Sequence, residues 1–207
     1  ALLNKPSARE FLSSYVAIFN QLVRGLTDLE VDGRFFLAEG LLTGRQATVE
    51  GYVAEDGAHL VGIVDSVRHP RTKSFVRFDY PSSLSKRLQE KAWEVSRRAV
   101  ERLGLRHSMF NVEVMIDAAR ERVSIVEINP RMCGQFADLY ELVDGVGGYS
   151  IALALAAGRP PPRKRRQGAH AVAASVPLRI FERSVVEHAP SEDDLRRAEA
   201  LFPGTLC

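Results

Sequence analysis

Residues 111–131, NVEVMIDAARERVSIVEINPR, read as two apolar runs flanking a charged turn, and each run carries one glutamate, Glu113 or Glu127. No other stretch constrains the fold as much. Strand side chains alternate between faces, so Val112, Val114 and Ile116 share one side of the first arm, and Glu113 and Met115 the other. On the second arm Val126 and Ile128 share one side, and Ile125, Glu127 and Asn129 the other. With residues 118–122 as the loop, Val114 pairs with Val126, Val112 with Ile128, Met115 with Ile125, and Glu113 with Glu127. One face is then wholly apolar, and the other sets two carboxylates directly opposite each other.

Directly opposed side chains have Cβ atoms roughly 5 Å apart, where like charges are destabilising. Solvent, a shared proton or a shared cation relieves such a pair. The solvent reading makes this face the wet outside of a half-buried hairpin. The neighbouring Met115 and Ile125 argue for a groove floor and favour the cation. Asn129 adds a neutral oxygen on the same face, and Arg131 a fork suited to phosphate. Two carboxylates and an amide oxygen form a hard-oxygen set of the kind Mg²⁺ takes together with substrate phosphates. This points to nucleotide chemistry.

Around the hairpin the chain supplies helices and further strands. Phe11, Tyr15, Phe19, Leu22 and Val23 recur at helical intervals, and Ser7 with Glu10 forms a capping box, so a helix runs from Ser7 to about Leu26. RFFLAEGLL is a short strand passing into a linker, and ATVEGYVAEDGAHLVGIVDSV is a hairpin turning at Asp56-Gly57. A charged loop follows, with a short strand over residues 75–78. SSLSKRLQEKAWEVSRRAVERLG is a helix stopping at Gly104, with Leu88, Ala92, Val95, Ala99 and Leu103 as its buried stripe. After the glutamate hairpin come a glycine-containing loop and a helix in YSIALALAAG. RPPPRKRRQG is a proline-led basic linker, AHAVAASVPLRIF a strand and SEDDLRRAEALF a capped helix. Helices on a mixed sheet make an α+β fold.

The 207 residues suffice for a buried core in one large or two small domains. A net charge of +2 gives no ground for binding nucleic acid or membranes through overall charge. RKRRQ lacks interleaved aromatic residues and follows a run of prolines, so it reads as a solvated linker rather than a nucleic-acid patch. Arg68, Arg71 and Lys73 read as solvated loop residues, and Asp144 as serving a turn. Cys133 and Cys207 form neither a metal-ligand spacing nor a disulfide framework, which fits a reducing cytoplasm. No apolar run reaches the length of a membrane span, and the N-terminus lacks the features of a signal peptide. The chain starts without methionine, and the expectation is a piece of a longer protein.

VEVMID and VSIVEINPR, followed by GQ and LVDGVGGYSIALALAAGRPP, resemble the C-terminal half of an ATP-grasp ligase. Upstream, FFLAEGLLTGRQATVEGYV is similar to that family's hinge and the first strand of its lid, and LVGIVDSV to the lid's return strand. The resemblance spans residues 35–161, leaving 1–34 as a helical lead-in and 162–207 as the basic linker and a small C-terminal segment. It implies an antiparallel or mixed sheet with flanking helices. It further implies ATP with Mg²⁺ or Mn²⁺, held by Glu113, Glu127 and Asn129, with Arg131 and Asn129 serving the transferred phosphoryl group.

By the same resemblance Glu39 and the main chain of Gly40, Leu41 and Leu42 meet the adenine, and Met115 and Val126 line its apolar floor. Glu50 reaches the ribose or phosphates, with an exposed strand carboxylate as the alternative. The implied reaction joins a carboxylate to an amine through an acyl phosphate, with Arg77 meeting an acidic substrate and Gly134 offering a backbone N–H. The family's Gly-rich phosphate loop has no counterpart before the hinge, so this polypeptide alone is expected not to turn over. A bicarbonate-activating carboxylase and a non-catalytic nucleotide-binding or interaction module are the alternatives. The implied partners are small carboxylates and amines rather than membranes or nucleic acid, and assembly into homo-oligomers is left open.

Overall fold

The computed structural model describes residues 6–25, 28, 39–72, 74–180 and 182–205. The chain divides into two compact units, Ala1–Leu42 and Thr43–Cys207. The first holds helix α1, Pro6–Val23, where the apolar spacing predicts it. The Ser7 side chain of the predicted cap and residues 34–38 of the predicted strand lie outside the described residues.

In the second unit β1 (Arg45–Ala54), β2 (Gly57–Arg68), β3 (Phe75–Tyr80), β4 (Ser108–Asp117), β5 (Arg122–Asn129) and β6 (Ala173–Ser175) form one sheet, ordered β5-β4-β1-β2-β3-β6. Every neighbouring pair is antiparallel. This is the expected α+β class. Between the strands lie α2 (Lys86–Arg102), α3 (Ala137–Asp144) and α4 (Gly148–Ala156), and α5 (Glu192–Leu201) follows the sheet. Ser85 caps α2 by accepting from the Leu88 N–H, and Ser191 with Asp194 forms a capping box on α5. Among the described residues no single helix is long and apolar enough to cross a membrane.

The sheet's two faces are buried differently. Ala47, Val49, Ile63, Phe110, Val112, Val114 and Ile116 pack with Ala92 and Val100 of α2. The buried stripe of α2 runs through Ala92, Ser96 and Val100, with Leu88 packed at its edge, and Leu103 is exposed. This corrects the predicted stripe through Val95, Ala99 and Leu103. Serine at position 96 hides the four-residue repeat, and Leu103 caps the helix after its last turn. On the other face, Tyr52, Val64, Phe78, Tyr80 and Met109 pack with Leu139, Tyr140 and Val143 of α3 and Ile151 and Leu155 of α4. α3 stands where the sequence suggested only a loop; it ends at Gly145, whose φ of 78° is left-handed.

Arg163 to Gln167 are exposed, as a solvated segment is expected to be, but hydrogen bonds tie the segment to the rest of the unit. Arg163 Nε donates to the Tyr52 hydroxyl at 3.0 Å, the Arg166 N–H to Asp144 at 2.8 Å, and the His170 N–H to the Leu142 carbonyl at 2.9 Å. Asp144 is buried and also accepts from the Tyr80 hydroxyl. It therefore pins this segment to α3 and the sheet rather than serving only a turn. Beyond residue 162, β6 pairs with β3.

Gly62 of β2 leaves room for the edges of two buried rings that meet nearly perpendicular, 4.9 Å apart. A Cβ there would stand 2.6 Å from Tyr140 and 2.7 Å from Tyr80. Gly62→Ala is therefore expected to lower stability by about 1–3 kcal/mol through overpacking, measured as a fall in the urea midpoint. An unchanged midpoint refutes this account of the glycine.

Candidate active site

The registers assemble the site on the α3 side of the sheet. Glu113 pairs directly with Glu127 on β5 and with Thr48 on β1. One step along, Asn111 pairs with Asn129 and Glu50. Directly paired residues share a face, so these six side chains form two adjacent rows across three strands. The opposed glutamates stand as the alternation predicts.

The register beyond them does not. A bulge lies between Glu113 and Val114, so Val114 pairs with Ile125 rather than Val126, and Met115 with Ser124 rather than Ile125. Val126 is the extra residue and is exposed. Physically, the bulge lets Val123, Ile125 and Ile128 all reach the α2 core despite their uneven spacing, while Glu127 and Asn129 stay opposite Glu113 and Asn111. Ile125 therefore leaves the glutamate face, and Val126 leaves the apolar one. Met115 is buried between Gln46 and Ser124.

Gln46 Nε2 donates to Glu113 at 2.7 Å, and Arg68 donates to the side-chain Oε1 of Gln46. The Arg68 guanidinium also lies 5.6 Å from the centre of the Phe75 ring. Burial, then the Glu127 charge, pushes the Glu113 carboxyl above its ordinary value; Gln46, Arg68 and Arg131 oppose that shift. Arg68 thus belongs to the site and not to a solvated loop. A local signal existed, since Gln46, Thr48 and Glu50 alternate with apolar Ala47 and Val49. Nothing local reveals that Arg68 reaches Gln46.

Glu50 is not an exposed strand carboxylate, and its head lies wholly inside the protein. It accepts from Asn111 Nδ2 at 3.3 Å and from the Cys133 N–H at 3.2 and 3.3 Å. Burial pushes its carboxyl up to about 8. Burial and the neighbouring Glu50 also raise the Cys133 thiol, against a thiolate role. Arg131 and Gly134 flank that cysteine, and Gly134 opens a short 3-10 turn, Gly134–Phe136.

Arg77 lies elsewhere. Phe78 and Tyr80 point into the α3 core, so Arg77 and Asp79 take the opposite face, where Arg77 Nε donates to Asp79 at 2.6 Å. Glu39, Gly40, Leu41 and Leu42 are exposed, irregular backbone in the first unit.

The donor set suits a hard divalent cation. Two facing carboxylates, one of them resisting ionisation, gain from a shared positive charge, and Asn129 stands one row away. Among the described residues no group of three or more His, Cys, Asp or Glu side chains could hold a metal ion.

Comparison with known proteins decides the family. The family model of the ATP-grasp domain matches residues 7–138. This chain belongs to the ATP-grasp family. A search of curated proteins finds no significant relative. Among solved structures, the ATP-grasp fold of this chain resembles a biotin carboxylase–ATP complex from Campylobacter jejuni, with TM-score 0.54 and 17% identity over 66% of this chain and 30% of that one. It also resembles phosphoribosylglycinamide synthetase from Anaerococcus prevotii, with TM-score 0.52 and 20% identity over 70% and 36%. A third is L-amino acid ligase from Bacillus licheniformis, with TM-score 0.51 and 16% identity over 58% and 31%. The chain thus spans about a third of the length of these three proteins. ATP-grasp enzymes are ligases, carboxylate–amine ligases and carboxylases among them, and generally use ATP and Mg²⁺.

Proposed function

We propose that this chain carries the metal- and phosphoryl-handling part of an ATP- and Mg²⁺-dependent ligase that joins a small carboxylate to an amine through an acyl phosphate. One observation carries the reading: Glu113 and Glu127 face each other across β4 and β5, with Asn111 and Asn129 paired in the next row. Glu113, Glu127 and Asn129 hold the divalent ion, which when bound neutralises phosphate charge. Gln46 fixes the Glu113 rotamer and Arg68 fixes Gln46. Met115 and Val126 offer apolar surface to the base.

The substrate carboxylate attacks the γ-phosphorus of ATP, the bond to the β-phosphate oxygen breaks, and ADP leaves. The amine then displaces phosphate from the acyl group. Arg131 stabilises charge on the transferring group, and the Gly134 N–H serves the substrate. The work is positioning and electrostatics.

The test is ADP formation by the intact protein with Mg-ATP, a panel of amino acids, dicarboxylic acids and bicarbonate, and amine acceptors. ADP release should require one carboxylate, and hydroxylamine should trap the activated acid as a hydroxamate. A response to bicarbonate alone turns the reading to a carboxylase. ADP release that ignores every acid refutes the ligase, and no nucleotide turnover at all leaves a non-catalytic binding module.

A further inference from the structure

Glu50 is buried completely, and its described hydrogen bonds all run to other parts of the protein. A buried carboxylate is costly, and an apolar side chain of similar size would fill the same space at lower cost. Its contacts show what it does. Both of its oxygens receive the Cys133 N–H, from 83 residues away, and one also receives Asn111 Nδ2, from 61 residues away. Glu50 therefore ties β1 and β4 to the turn that follows β5.

That turn's other polar contacts do not reach the sheet's centre. Arg131 Nη1 donates to the Met132 carbonyl, the Phe136 N–H to the Cys133 carbonyl, and Gln135 Nε2 to Ser175 on β6. Asn111 is in turn the direct partner of Asn129. One carboxylate thus links the Asn111–Asn129 row to the segment that bears Arg131 and Gly134.

We infer that Glu50 is a positioning residue for phosphoryl transfer: by holding the Cys133 amide it sets where Arg131 and Gly134 stand relative to the Glu113–Glu127 pair. The role in transfer rests on the ligase reading above; the clamp itself does not. The raised Glu50 carboxyl agrees with a group kept in place against its solvation preference. A positioning error of this kind acts on the transfer step rather than on nucleotide binding.

The experiment uses the intact protein and two substitutions. Glu50→Leu removes both acceptors, and Glu50→Gln keeps one oxygen. Glu50→Leu should lower kcat roughly tenfold or more while Mg-ATP affinity stays within about threefold, with Glu50→Gln between it and the parent. Wild-type kcat in Glu50→Leu, or an equal loss of Mg-ATP affinity and kcat, overturns the inference.

Amide hydrogen exchange reads the clamp without any reaction. The Cys133 amide should exchange slowly in the parent protein and at least roughly tenfold faster in the variants, with β4 unchanged. If both variants fail to fold, the parent alone decides, because a fast-exchanging Cys133 amide refutes the clamp. A protein with a protected Cys133 amide but no carboxylate-dependent ADP release refutes the ligase and leaves the clamp standing.

Discussion

Glu127→Gln is expected to weaken Mg-ATP binding by the intact protein about a hundredfold without lowering its stability. The glutamine keeps the size of the side chain and one oxygen, and removes only the charge. Losing partners that merely support metal ligands costs about 10–100-fold in affinity, so loss of a ligand charge belongs at the upper end, ~2.7 kcal/mol. The stability term has the opposite sign. Glu127 faces Glu113, and its charge helps push the Glu113 carboxyl upward. Removing it relieves like-charge repulsion, so Glu113 should titrate lower and the metal-free fold should hold or gain stability. Calorimetric titration of Mg-ATP together with a denaturant melt reads both halves. Unchanged affinity sinks the metal assignment, and a marked loss of stability shows a structural glutamate instead.

The part of this site that depends on alternation was legible in the sequence. Two apolar runs with a charged turn fix which residues share a face, and Glu113 opposite Glu127 follows. The bulge was not legible, because one extra residue changes parity without any glycine or proline to mark it. Val123, Ile125 and Ile128 show two spacings, two residues then three, and only packing against α2 decides which register holds. Arg77 illustrates a parity argument that was available, since Phe78 and Tyr80 must face the core together and leave Arg77 on the other side. Arg68, Glu50 and the basic segment failed for a different reason. Their partners are 22, 61 and 83, and up to 111 residues away, so composition near each residue carries no trace of them. Nothing in the charge run itself shows that a buried Asp144 accepts the Arg166 backbone N–H.

Replacing Arg131 should cost the most in the chemical step. Its side chain is exposed, and its described hydrogen bond runs only to the adjacent Met132 carbonyl, at 3.2 Å. It nevertheless lies close enough to lower the carboxyl values of both Glu113 and Glu50 by its charge. Among the described residues no salt bridge within 4.0 Å consumes that charge. A guanidinium that acts on both carboxyls through its charge but bonds to neither remains available for an incoming anion. Under the ligase reading that anion is the phosphoryl group in transfer, whose equatorial oxygens take up their in-line arrangement only at the transition state. Arg131→Ala should then lower kcat about 10²–10³-fold, the loss seen when a single transition-state donor is removed, ~2.7–4 kcal/mol. Arg131→Lys keeps the charge but loses the planar fork, and should fall between the two. Stability should not move, since the side chain anchors nothing in the core, and added guanidinium ion should restore part of the alanine variant's rate. Steady-state ADP formation at saturating Mg-ATP measures this, and a kcat within about twofold of the parent removes Arg131 from the reaction. A loss confined to KM for ATP assigns it to ground-state binding, because only an interaction that strengthens as phosphoryl transfer proceeds lowers kcat when it is lost.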